Sequence, residues 1–310
     1  MKKYFKKSLI IFIPVLLVWM ATEIFYRTAE NNYSFKFEKI QERKNEIQGL
    51  VFGNSHAFFG LNPEHFQQNV FNLANVSQTL YFDQLLFEKY VDELPNLKFV
   101  VLSVEYSSLS QKDNTSEDVW RKYFYEAQMD LEVPIVSSFD PRKYSLALVR
   151  RFSVTKDYFK TYLDDGTLVT SDENGWGTNY EGQINYSIEK LGKMVAAKHE
   201  DGLMDFSKNE KRIQGIIERC KKHGIKVLIV NMPVTEAYFL NINMEKWQKI
   251  TEVCKNLAEM HDNVIYLPLF QHKEFEIDDF YDADHLNHSG AKKASEIVAK
   301  ELFLMKNFLK

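Results

Sequence analysis

Cysteine is scarce in this sequence, with two in 310 residues. That excludes a disulfide-stapled scaffold and a cysteine-rich metal domain. Cys220 and Cys254 each fall in an amphipathic helical pattern and lack metal-ligand spacing. Two buried thiols are expected, with pairing outside the cytoplasm as the alternative. Glycine and proline are also few, at 12 and 7, and hydrophobic residues make up 45%, so the chain is neither fibrous nor disordered and can bury a sizeable core. Excess positive charge is missing too. The formal net charge is -4 and most lysines lie beside acidic residues, which sets nucleic acid aside as a partner.

One segment departs from this soluble pattern. Lys2, Lys3, Lys6 and Lys7 precede an apolar stretch from Leu9 to about Tyr26, interrupted by Thr22 and Glu23. The length and the flanking lysines predict an N-in membrane anchor over residues 1–27, with everything after Arg27 outside the cytoplasm. A cleaved signal peptide is the competing reading, but no small-x-small site follows, and Trp19 and Tyr26 read as interfacial aromatics. Residues 28–46 read as a polar helical stem.

From Ile47 short apolar runs alternate with helical patterns, the signature of an α/β fold with a doubly wound, mostly parallel sheet. Strands are predicted over residues 49–53, 70–73, 98–104, 226–230 and 264–267, and helices over 81–93, 207–222, 245–260 and 289–303. The expected α/β domain is 47–106 with 206–310. Residues 107–205 form an inserted, aromatic-rich lid carrying Trp120, Tyr123, Tyr125, Tyr162 and Trp176. Within it, Asp164-Asp165-Gly166 suggests a hairpin. The aromatics suit sugar stacking or, more commonly, internal packing.

Ligands in parallel α/β sheets sit beyond the carboxyl ends of the strands. Those ends carry Asn54 and Ser55, Asn75, Glu105 and Tyr106, Asn231, and, after a longer loop, Asp282 and His285. A serine on a sharp strand-to-helix turn and a late Asp-x-x-His pair are what covalent acyl transfer needs, since a hydroxyl attacks only when an imidazole takes its proton. Asp282, Asp284, His285 and His288 also invite a metal reading, but no second ligand cluster accompanies them, so neither metal nor cofactor is expected. His56 is expected to be structural and to point away from His285. Asp284 is expected to face solvent or substrate.

GNSH at 53–56, NLANVSQ at 72–78 and DADHLN at 282–287 resemble the SGNH/GDSL hydrolase superfamily, and more narrowly its membrane-anchored bacterial members linked to O-acylation of cell-surface polysaccharides. The resemblance implies an SGNH-like, flavodoxin-like three-layer sandwich. It implies Ser55 as nucleophile, His285 as general base and Asp282 as its orienting carboxylate. For the oxyanion it implies the backbone N–H of Ser55, beside which that of Asn75 can serve, although Asn75 stands where the family's second block has glycine. The sequence departs from the family after the third strand, where Ser103-Val104-Glu105-Tyr106-Ser107 stands in place of Gly-x-Asn. Asn54 and Asn231 are then the substitutes, while Glu105 either lines the site or pairs with a base.

Three functions are consistent with this pattern. In the first, Ser55 accepts an acetyl or similar group from a donor delivered through the membrane, such as from a multi-spanning acyltransferase, and passes it to a polysaccharide hydroxyl. In the second, water takes the acyl group and the protein is a carbohydrate O-acetyl esterase. In the third, it is a non-catalytic glycan-binding or scaffold member.

Overall fold

The computed structural model describes residues 2–307. Its strands are β1 (Gly49–Phe52), β2 (Val70–Asn72), β3 (Phe99–Ser103), β4 (Lys226–Asn231) and β5 (Val264–Pro268). Its helices run α1 (Lys2–Thr28), α2 (Asn32–Arg43), α3 (Ser55–Gly60), α4 (Leu80–Tyr90), α5 (Asp118–Gln128), α6 (Phe152–Asp165), α7 (Ile188–His199), α8 (Ser207–Lys222), α9 (Glu236–Phe239), α10 (Met244–Met260) and α11 (His288–Asn307).

The five strands form one parallel sheet in the order β2-β1-β3-β4-β5. β1 to β3 are buried along their whole length because both faces of the sheet are covered. On one face Val51, Val101, Leu228 and Val230 pack with Ala57 and Phe58 of α3 and with Ala294 and Val298 of α11. On the other face Phe52 meets Phe87 of α4 edge-on at 6.3 Å, and α8 lies against α4 and β4. The product is a parallel α/β sheet between two helical layers. Burial of each branched side chain in it is worth on the order of 1.5–3 kcal/mol.

The chain divides into two compact units, residues 1–37 with 116–169, and residues 38–115 with 170–310. The sheet belongs wholly to the second. Of the aromatics in the expected lid, Trp120, Tyr123, Tyr125 and Tyr162 belong to the first unit and Trp176 to the second. Asp164-Asp165-Gly166 is not a hairpin. Gly166 adopts φ 76° as the left-handed cap of α6, its N–H donating to Tyr162 O, the usual use of glycine at a helix end.

No helix among the described residues is long and apolar enough to cross a membrane, so the expected span is not supported. α1 does expose apolar residues, including Ile10, Phe12, Leu16 and Leu17. Towards its end the side chains enter internal contacts instead. Trp19 Nε1 donates to Ser145 Oγ at 3.0 Å, and Glu23 accepts from Ser145 Oγ and from the Ala147 N–H at 2.8 and 2.9 Å. Tyr26, expected at a membrane interface, is buried and bonded to Thr155 Oγ1. Cys220 and Cys254 are buried free thiols.

Candidate active site

Ser55 is placed by a chain of local constraints. Gly53 ends β1 at φ +138°, and a Cβ there would lie 2.6 Å from Ser103 Cβ, so glycine alone fits this turn. Its N–H donates to Asp83 Oδ1 at 3.1 Å, a buried carboxylate in the first turn of α4 that also accepts from Gln78. Asn54 then caps α3, its side-chain oxygen accepting from the His56 N–H at 3.0 Å. Asn72 anchors the same helix from β2, its amide donating to Ala57 O and Leu61 O at 2.9 Å each. Ser55 therefore opens α3 beyond the carboxyl end of β1.

The histidine arrives on the loop between β5 and α11. Asp282 Oδ1 accepts from the Asp284 and His285 N–H groups at 3.0 and 2.8 Å, a tight turn that aims the aspartate and imidazole at one place. His285 Nδ1 lies 3.0 and 3.1 Å from the two Asp282 carboxylate oxygens. A carboxylate only accepts, so Nδ1 carries the hydrogen and Nε2 is free to accept. His285 Nε2 is 2.8 Å from Ser55 Oγ. Burial alone would lower the basicity of His285, but the Asp284 and Asp282 carboxylates outweigh it and raise its pKa to about 9.

The other residues named from sequence scatter. The Asn75 N–H donates to Gly53 O at 3.2 Å and its side-chain oxygen accepts from Val76 N–H, so the expected backbone oxyanion donor is already committed. Asn231 is buried, its amide donating to Val104 O and its oxygen accepting from Tyr266, which makes it a pin between strands rather than a donor at Ser55. Tyr106 is buried against Glu200 and accepts from the Asn243 N–H at 2.9 Å. Glu105 is 2% exposed, accepts from Ser103 Oγ and the Met232 N–H, and points its other oxygen towards His56 Nδ1 at 3.7 Å. Burial drives its pKa upward despite these partners.

Two expectations are corrected here. His56 does not point away from His285: their ring centroids are 4.8 Å apart. Asp284 does not face solvent, being 1% exposed and 3.1 Å from His56 Nε2. The sequence signal for both was present, as adjacency to Ser55 and His285, but helical direction alone does not reveal that α3 turns its second residue inward.

A wall of aromatics flanks His285. Tyr180 stacks between Phe59 and Tyr281 at 3.7 and 3.8 Å and presents its edge to His285 at 5.5 Å. Trp176 donates to Phe59 O and packs on His288, so it holds the segment in place and does not offer a free stacking face. A groove of about 740 Å³ in the same unit is lined by residues including Tyr186, Thr235, Phe270 and Glu276. Thr235 Oγ1 also donates to Ala283 O in the histidine loop. His56, Asp284 and His285 bring one donor atom each within 4.8 Å. Both nitrogens of His285 are engaged by Asp282 and Ser55, which leaves fewer donors than a metal centre of three or four protein ligands requires.

No family model matches the chain, and no curated protein matches it. Among solved structures, it is similar to a protein described as a platelet activating factor from Streptococcus pneumonia, at 12% identity over 94% of this chain and 98% of that chain, with a TM-score of 0.43. A protein described as an acylhydrolase from Bacteroides fragilis is similar at 13% identity over 86% and 90%, with a TM-score of 0.40. A GDSL-like lipase from Bacteroides thetaiotaomicron is similar at 11% identity over 89% and 100%, with a TM-score of 0.41. Likenesses at these scores define neither a shared fold nor a shared chemistry.

Proposed function

We propose that the protein is a serine acyltransferase of SGNH type, in which Ser55 takes an acetyl or similar group from a donor delivered through the membrane, for instance by a multi-spanning acyltransferase, and passes it to a hydroxyl of a cell-surface polysaccharide. The observation that carries the chemistry is the 2.8 Å contact between Ser55 Oγ and His285 Nε2, made by residues 230 positions apart. As Ser55 Oγ bonds to the acyl carbon, its proton moves to His285 Nε2 and then to the leaving group. An incoming hydroxyl repeats the steps in reverse order. Asp282 holds the imidazole tautomer throughout. The N–H of Ser55, at the first helical position, has no acceptor within α3 and supplies one oxyanion donor.

Hydrolysis is the second reading, favoured by the partial exposure of Ser55, which leaves water a path to the acyl-enzyme. Purified protein is expected to cleave p-nitrophenyl acetate, and Ser55→Ala to lower kcat/KM about a thousandfold or more. Equal rates from both proteins would leave a non-catalytic glycan-binding role. Acylated oligosaccharide detected by mass spectrometry, in competition with water, separates transfer from hydrolysis.

A further inference from the structure

Behind His285 lies a row of buried ionisable groups that acyl transfer by Ser55, His285 and Asp282 does not use. Asp284 stands at its centre. His56 Nε2 approaches one Asp284 oxygen to 3.1 Å from α3, and His285 Nδ1 approaches the other to 3.4 Å. His199 Nδ1, at the end of α7, is 3.9 Å away and shares a 2.9 Å hydrogen bond with Tyr238 OH of α9. Beyond His56 sits Glu105, and the Tyr180 ring closes the outer side of His285.

Neither Asp284 oxygen makes a well-angled hydrogen bond, although both are buried. A carboxylate in that position is costly unless nearby positive charge balances it. His199 does not supply that charge at neutral pH, because burial holds it down at about 4. His56 and His285 lie nearest Asp284, and the imidazoles around it hold its pKa low despite its burial.

We propose that Asp284 is a positioning residue for the Ser55 reaction: a second carboxylate on His285 Nδ1 that, with Asp282, stabilises the imidazolium formed when Ser55 loses its proton, while His56 draws off part of its charge. The inference rests on His285 acting as the base, and it gives His56 and Asp284 different effects. Replacing Asp284 removes a negative charge beside Nδ1 and makes His285 a weaker base. Replacing His56 by a neutral amide leaves the Asp284 carboxylate in place beside Nδ1, so His285 loses none of its basicity.

The test is a pair of titrations on wild type, Asp284→Asn and His56→Gln. The first follows His285 by imidazole NMR in histidine-labelled protein, its resonance assigned with His285→Gln, and needs no catalysis. The second is the pH profile of kcat/KM with p-nitrophenyl acetate, with Ser55→Ala as the blank. Asp284→Asn is expected to lower the His285 titration by about one unit or more, moving the acid limb down with it and reducing the alkaline plateau. His56→Gln is expected to leave the titration in place or raise it. An unmoved His285 titration in Asp284→Asn, or an equal fall in both variants, overturns the proposal and leaves only a structural role. If Ser55-dependent hydrolysis is absent while the NMR shifts appear, the acyl-transfer reading fails and the coupling of Asp284 to His285 stands. Should Asp284→Asn not fold, Asp284→Glu replaces it, expected to keep the titration high through its charge.

Discussion

At the level of single residues, the decisive pair is an imidazole and the carboxylates around it. His285 accepts the Ser55 proton only when neutral, and its pKa stands near 9 against an ordinary 6.5. Ester hydrolysis is therefore expected to rise with pH through neutrality and to reach half of its plateau at about pH 9, a profile checked by kcat/KM from pH 6 to 10. The same shift acts on stability. A base whose folded pKa exceeds its unfolded value stabilises the fold fully below about 6.5 and loses that contribution as pH rises through about 9. Urea midpoints of Ser55→Ala and of Ser55→Ala/His285→Gln should converge across that window, and parallel curves would contradict it. The grouping of Ser55, His285 and Asp282 was legible in the sequence because each sits in a short motif with its own geometric logic. Asp284 and His56 could not be given their places, since burial of a charged group depends on which helix faces which loop.

At the level of elements, the strand-to-helix turn after β1 and the aromatic segment over the base carry the site. Gly53 occupies a backbone region closed to other residues and touches Ser103 closely. Gly53→Ala is expected to cost about 1–3 kcal/mol from backbone strain alone and to displace Ser55, so thermal stability and activity should fall together. Tyr180 contributes two stacked pairs, each worth about 0.5–1.5 kcal/mol. Tyr180→Ala should lower Tm by several degrees and reduce activity, whereas Tyr180→Phe, which keeps both stacks, should leave Tm nearly unchanged. The strands were legible because runs such as 227–230 are buried on both faces and must be apolar throughout. Gly166 misled because glycine after two aspartates serves a hairpin and a helix cap equally well, and only the packing of α6 decides between them. Asn75 and Asn231 misled for a related reason: an asparagine at a strand end has both a donor and an acceptor to offer, and the nearest backbone groups, Val76 and Val104, claim them first.

At the level of the whole molecule, α1 raises the question of where the protein resides. Its last three turns are tied into the fold through Trp19, Glu23 and Tyr26, while Ile10 to Val18 include many exposed apolar side chains. A contiguous apolar surface of this kind is unstable against water unless something covers it. With four lysines preceding it, a lipid surface is the proposed cover, which would also concentrate the protein beside a donor held in the same membrane. Ile13 and Leu17, 48% and 59% exposed, separate this role from folding, because exposed side chains contribute little to the folded state. Ile13→Asp/Leu17→Asp is expected to leave the Tm and the p-nitrophenyl acetate activity of the purified protein within error of wild type, yet to move it from the membrane pellet to the soluble fraction. Wild type should leave the pellet with detergent and not with salt. A wild-type protein already free in the supernatant would remove the membrane from the account, and with it the reason to expect a membrane-delivered acyl donor; the chemistry at Ser55 would be untouched.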